Sequence, residues 1–334
     1  MKVTISDVAR LAGVSTATVS HTINGTRYVS EETQEKVRKA IGALGYTPDA
    51  SARSFRTGKK KTIGFIVPDI SNKFFGTLIE AVEHCLAGQG YHLIIANTKE
   101  DMEREETNIR LLTAGLVDGL LVASTMDDFQ RLERAIPAGF PVVLVDRTFP
   151  VKKYTSVCVS NFQPIYRSIC RLAAKGCRRV GMIGSLARLS STVERVAAYR
   201  AAVSDCGLAQ EEALIRCADL SAGSVCACLE ALLELQCDAV VVGQGQMASV
   251  VASYLHRQGK RVGQDLEMVG FVDYGEGVYD ALYAEADCIV QPVEQVGETA
   301  GEEILRRIES PDLPVYETVL QSSYKPCRSG RSGA

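Results

Sequence analysis

Apolar positions in the first 45 residues recur at helical spacing: Val8 and Leu11, Val19 and Ile23, then Val37, Ala40, Ile41 and Leu44. The pattern predicts three short helices. Ser6 is the expected cap of the first, Gly13 breaks the chain before the second, and Ser30 with Glu31 and Thr33 opens the third. From Thr62 the pattern changes to short β runs: TIGFIVP, YHLIIANT, DGLLVAS, PVVLVD and SVCVS, then RRVGMIGS, DAVVVG, EMVGFVD and DCIVQP. Amphipathic helices separate them. Nearly continuous apolar strands alternating with helices imply parallel sheets covered on both faces. Two such series, breaking near Asn161, predict two similar α/β lobes behind a small all-α head.

The stretch YTPDASARSFRTGKKKT joins head to lobes. Pro48 stops the third helix, DASARSFR is long enough for two helical turns, and TGKKK reads as a basic linker. The expected domains are a head over 1–45, a hinge and linker over 46–61, a first lobe over 62–160 plus 291–320, and a second over 161–290 plus 321–334.

Composition adds two constraints. The net charge of −3 hides an asymmetry: residues 1–61 hold eleven Lys and Arg against five Asp and Glu, giving +6, and the remainder holds 26 against 35, giving −9. A basic head on an acidic body suits a head that meets a polyanion. The eleven cysteines are irregularly spaced, with only Cys226 and Cys228 close together, and none has a histidine at zinc-ligand spacing. They read as reduced thiols in a reducing compartment. No apolar run is long enough to span a membrane and MKVTISDVAR lacks the core of a secretion signal, so a cytoplasmic location is expected.

The candidate chemistry of the head lies in VSTATVSHTIN. On a helix starting near Ser15, Val19 and Ile23 point inward, and Thr16, Ala17, Ser20 and His21 point outward. Such a small, hydrogen-bonding face can enter the major groove, where bulk would keep it from the base edges. Thr16 and Ser20 suit phosphates or base edges, Ala17 a thymine methyl, and His21 a guanine or a phosphate. A plain trihelical packing module with a polar exterior would show the same pattern.

TISDVARLAGVSTATVSHTING, followed by YVSEETQEKVRKAIGALGYTPDASARSFRTGKKKTIGFIVPDISNKFF, resembles the head, hinge and first strand of the LacI/GalR family of bacterial repressors. The likeness implies a helix-turn-helix head and a core of two periplasmic-binding-protein-like (type I) lobes. It also implies a homodimer on a pseudo-palindromic operator and a sugar, sugar phosphate or nucleobase effector in the core. Base contacts are implied for Thr16, Ala17 and His21, and phosphate contacts near Thr4, Ser15, Asn24 and Thr26. ARSFR resembles the family's hinge helix, with Phe55 in the place of a leucine that wedges into the minor groove. The alternative is that Phe55 packs only against its dimer mate. Arg53 and Arg56 beside it neutralise phosphates or solvate the linker.

Two α/β lobes leave a cleft at the carboxyl ends of their strands, which makes strand-end residues the effector candidates: Asp69 and Ser71, Asp146 and Arg147, and Asp273. Each carboxylate has an alternative role as a helix cap. The resemblance adds Phe74 and Phe75 as pocket walls and Arg195 as a ligand-contacting arginine. GSLARLSSTVERVAAYR resembles the same segment of sucrose and fructose regulators, where phosphorylated fructose recurs as an effector. If both are helical, Arg188 and Arg195 lie two turns apart and jointly meet a phosphate; the alternative has Arg188 capping a loop and the ligand neutral.

Two departures bear on the ligand. VVGQGQMASV has Gly245 near the place where many family members carry Asn or Asp, and GFVD displaces Asp273 by one residue. VVVGQGQMAS lacks the third glycine of a dinucleotide fingerprint, and G-x-S-x-G, P-loop and H-E-x-x-H motifs do not occur. The expectation is a non-enzymatic regulator with no metal or cofactor. The alternative is a sugar-binding protein without specific DNA readout.

Overall fold

The computed structural model describes residues 3–47, 58–272 and 286–327. The chain divides into two compact units, Met1–Lys60 and Lys61–Ala334.

In the first unit, α1 (Ile5–Ala12), α2 (Thr16–Asn24) and α3 (Glu31–Leu44) close around Val8, Ala9, Val19, Val37 and Ala40. The cap of α1 is Thr4 rather than Ser6: its N–H and hydroxyl both donate to Asp7, at 3.0 and 2.7 Å. These bonds hold the Asp7 carboxyl below its usual range, with Arg10 adding to the effect. Ser6 lies inside the helix and is exposed. Leu11 is also outside the core and 55% exposed, because the buried stripe runs Ile5, Val8, Ala9, Ala12. Gly13 ends α1 in the left-handed region at φ +66°, where a side chain would be strained.

The second unit holds two six-stranded sheets, ordered β11-β5-β4-β3-β1-β2 and β12-β10-β9-β8-β6-β7. Pairing is parallel throughout except for β10 with β12. In chain order the first sheet takes β1 (Thr62–Val67), α4 (Lys73–Ala87), β2 (His92–Asn97), α5 (Met102–Thr113), β3 (Gly119–Val122), α6 (Phe129–Ala135), β4 (Val142–Val145) and β5 (Thr155–Val159). The second takes α7 (Phe162–Ala174), β6 (Val180–Gly184), α8 (Ser190–Asp205), β7 (Ile215–Cys217), α9 (Ala222–Glu234), β8 (Ala239–Val242), α10 (Gly245–Arg257), β9 (Glu267–Val272) and β10 (Asp287–Val290). After β10 the chain returns to the first lobe as α11 (Val293–Glu309) and β11 (Glu317–Leu320), then crosses again to β12 (Ser323–Lys325).

The nine runs read from the sequence are all strands. β7, β11 and β12 escaped because they are short edge strands, only partly buried, with no continuous apolar run. Gly297 and Gly301 allow α11 to lie against α4: a Cβ at Gly297 would come within 2.6 Å of Ala81 Cβ and 2.9 Å of the Leu78 carbonyl. Among the described residues no helix is long and apolar enough to cross a membrane.

Candidate functional site

Two surfaces collect the candidate residues. On the head, Ser15 caps α2 by accepting from the Thr18 N–H at 3.0 Å, and Val19 is fully buried beneath the helix. Thr16 and Ala17 are exposed, and Ser20 and His21 half-buried. His21 Nδ1 lies 2.9 Å from Thr26 Oγ1, and Asn24 Nδ2 donates to the Ser20 carbonyl at 2.7 Å. Thr4, Ser15 and Thr26 are exposed. The outer face is therefore small and polar, with its half-buried members already braced. Tyr28, which the sequence reading passed over, is 92% exposed two residues beyond Thr26. It is the sole aromatic among residues 1–45, and that was the available signal. Arg53, Phe55 and Arg56 lie outside the described residues.

In the core, the strand ends converge on a cavity of about 30 Å³. Asn72, Phe74, Phe75, Asp146 and Arg147 line it from the first lobe, facing Ser185, Leu189, Ser191, Arg195 and Gln244 of the second, with Gln291 at a crossing. That volume suits one or two waters, so the walls meet each other. A wider cavity of about 430 Å³ adjoins through Arg147 and Leu189 and is lined by Thr148, Phe149, Lys152 and Arg188.

Each arginine here has partners, although the buried Arg147 Nε makes no hydrogen bond among the described residues and lies 3.9 Å from Asp146. Arg147 grips Glu100 with two nitrogens, at 2.6 and 3.0 Å, and reaches the Ser124 carbonyl at 3.2 Å. Arg188 Nη2 donates to the Glu100 carbonyl at 3.1 Å from the opposite lobe, with the Glu100 carboxylate 3.8 Å away. Arg195, buried, donates to Asn161 at 2.8 Å and to the Gly243 carbonyl, and its guanidinium lies 4.1 Å from the Phe271 ring centroid. Glu194 accepts from the N–H groups of Asn161 and Phe162, at 3.2 and 3.0 Å. Burial pushes the Asp146 carboxyl up against the opposing pull of Arg147 and Arg195, and it pushes up buried Glu105, which Ser124 and Thr125 bind.

Gln244 Oε1 and Gln291 Nε2, by contrast, are buried with no hydrogen-bond partner among the described residues. One is an acceptor and the other a donor, and both side chains line the small cavity. Such groups are costly unless something supplies the missing bonds.

Two expectations need correction. Asp69 and Ser71 do not line the cavity: Asp69 Oδ1 accepts from the Ser71 N–H and hydroxyl at 2.9 and 2.8 Å, a local turn, and their neighbour Asn72 faces the cavity instead. Arg188 is not helical, since α8 begins at Ser190, so helical spacing does not pair it with Arg195. At VVGQGQ the inward residue is Gln244, directly before Gly245. Asp273 lies outside the described residues. Ser185, Gln244 and Gln291 were missed, although each follows a strand closely and that position was the available signal.

Comparison with known proteins agrees with this architecture. Residues 4–49 match the family of bacterial regulatory proteins of the lacI type, and 60–318 match the periplasmic binding proteins and sugar binding domain of the LacI family. The HTH-type transcriptional repressor PurR of Vibrio atlanticus is 32% identical over 313 residues, 92% of this chain and 93% of the relative. The ribose operon repressor of Haemophilus influenzae is 33% identical over 321 residues, 95% and 96% of the two chains. The lac repressor dimer bound to operator and the anti-inducer ONPF shares the fold, with a TM-score of 0.86 at 23% identity over 98% of this chain and 99% of the other. The regulator CelR in complex with cellobiose superposes with a TM-score of 0.71 at 26% identity, covering 98% and 100%. The chain therefore belongs to the LacI family of bacterial regulatory proteins: a DNA-binding, ligand-responsive repressor and not an enzyme.

Proposed function

We propose that this repressor acts in the cytoplasm as a homodimer on a pseudo-palindromic operator, and that its effector is a small sugar held between the lobes. The observation that carries the effector class is the pair of unpartnered buried amide atoms on Gln244 and Gln291. A sugar hydroxyl both donates and accepts, so it answers both atoms, and Asp146 takes a second hydroxyl. Phe74 and Phe75 offer apolar faces to the ring. The relatives named for ribose and cellobiose support the same class. Because the cavity is smaller than a sugar, entry requires the lobes to part, and that movement is the proposed signal to the head.

On DNA, Thr16, Ala17 and His21 are the proposed base readers. Ser20 serves either base edges or phosphates, and Thr4, Ser15, Asn24, Thr26 and Tyr28 lie along the backbone. Residues 46–61 form the linker, Phe55 the wedge, and Arg53 and Arg56 its phosphate contacts. The edge strand β2 offers the dimer face through Ile94 and Ile95, 39% and 45% exposed, since an open apolar edge invites a second copy. Ile94→Lys should shift the protein from dimer to monomer in light scattering.

A phosphorylated sugar is the second reading. Arg188 and Lys152 line the wider cavity at the mouth, and the likeness of 184–200 to sucrose and fructose regulators favours it. Isothermal titration of a panel of sugars and their phosphates separates the two. The first reading expects the free sugar to bind and Gln291→Leu to weaken it at least about tenfold without lowering the apo melting temperature. Tighter binding of the phosphate, lost on Arg188→Gln, would replace it with the second.

A further inference from the structure

All eleven cysteines are free thiols, and the pair that the sequence set side by side, Cys226 and Cys228, stand two apart on α9 and so project to different sides. A different pair meets in space. Cys170 on α7 and Cys206, the residue that ends α8, bring their sulfurs to 3.2 Å, and both are half-buried. Beside them Tyr166 donates to Asp205 at 2.8 Å, a second tie between the same two helices. At the cleft end, α7 and α8 are joined again through Asn161, Glu194 and Arg195. The sulfurs therefore sit at the far end of the two-helix unit that holds the buried arginine of the effector site.

We propose that Cys170 and Cys206 form a reversible disulfide under peroxide, fastening α7 to α8. The sulfurs need to close by only about 1 Å to reach bonding distance. The thiolate of one cysteine attacks the peroxide O–O bond, forming a sulfenic acid and releasing hydroxide, which takes up the proton the thiol gave up. The second sulfur then attacks the sulfenic sulfur, the S–S bond forms, and the sulfenic oxygen leaves as a second water with the remaining thiol proton. Two thiols are oxidised by two electrons and one hydrogen peroxide is reduced to two waters. A dithiol reverses the step. Burial, with the contact to Cys170, pushes the Cys206 thiol up to about 11, so thiolate is scarce at neutral pH and oxidation accelerates as pH rises.

The full-length protein, treated with hydrogen peroxide at pH 7 and 8.5 and then digested without reduction, gives the test by mass spectrometry. The expected product is a linked pair of peptides carrying Cys170 and Cys206. It should form faster at pH 8.5 than at pH 7, disappear with dithiothreitol, and raise the melting temperature by about 5 °C. Cys170→Ala and Cys206→Ser should each abolish the link and the shift while melting like the reduced wild type. Because the readout is covalent, it is independent of the effector and operator assignments. A link between other cysteines, Cys206 oxidised without a partner, or no product at pH 8.5 would overturn the proposal.

Discussion

On α2 of the head, Thr16 and Ala17 are exposed to solvent, whereas in the cleft of the core each arginine is held by a carboxylate, an amide or a carbonyl. The difference follows from what each surface meets. A DNA groove arrives with its own ordered donors and acceptors, so the protein side must be small, accessible and lightly braced. A small ligand arrives alone in a closed space, so the protein must fix its polar groups beforehand and leave unanswered only those the ligand is to satisfy. Among the described residues of this cleft, Gln244 Oε1, Gln291 Nε2 and Arg147 Nε are the buried atoms of the lining without a hydrogen bond.

The contrast is broken most severely by removing the buried guanidinium. Arg195→Ala strips the donor from Asn161 Oδ1 and the Gly243 carbonyl, and each buried acceptor left unpaired typically costs about 1–3 kcal/mol. The core should melt lower and lose effector binding, seen by calorimetry and titration. An unchanged melting temperature would mean that Arg195 is not a structural part of the site.

On the head, His21→Ala should cost about 1–3 kcal/mol of discrimination at one base position in each half-site, measured by binding to operators varied singly. A uniform loss across all sequences would make His21 a phosphate contact. A smaller effect comes from the cap beneath that surface: Ser15→Ala removes the acceptor of the Thr18 N–H and should destabilise the head by about 1 kcal/mol, with the core's melting unaltered.

Asp146 gives the smallest and most diagnostic change. Its carboxyl is pushed up by burial, so the folded protein binds this proton more tightly than the unfolded chain, and the group costs stability as pH rises through its raised value. Asp146→Asn removes that cost, and asparagine tolerates the left-handed backbone there, φ +65°. The variant should therefore melt slightly above wild type at pH 8, converge with it as pH falls, and bind effector more weakly. A variant less stable at pH 8 would show that the arginines outweigh burial.

The two surfaces also differ in how far the sequence disclosed them. The recognition face was legible because it lies along nine consecutive residues of one short helix, where period alone separates Val19 from Thr16 and Ala17. The cleft is assembled from residues more than 200 positions apart, such as Asn72 and Gln291. Strand ends pointed to Asp146 and Arg147, which line the small cavity, but nothing local distinguished Asp69, spent on its own turn, from them. Arg188 seemed to pair with Arg195 only if both were helical, and the late start of α8 removed that register. Gln244 and Gln291 obeyed the same strand-end rule while carrying no charge to draw notice. The parallel lobes were plain because buried strands are almost uninterruptedly apolar, and the edge strands β7, β11 and β12 were not.

What most needs a test is whether the head reads a specific DNA sequence under control of a ligand in the core. It is tested most directly by selecting duplexes from a random pool on the purified protein at about physiological salt, with and without the sugars that bind the core. The expected result is an enriched palindrome with a flexible central step, whose retention changes when an effector sugar is added. A pool that stays unenriched under every condition would contradict it, leaving the core as a sugar-binding protein and the head without sequence readout.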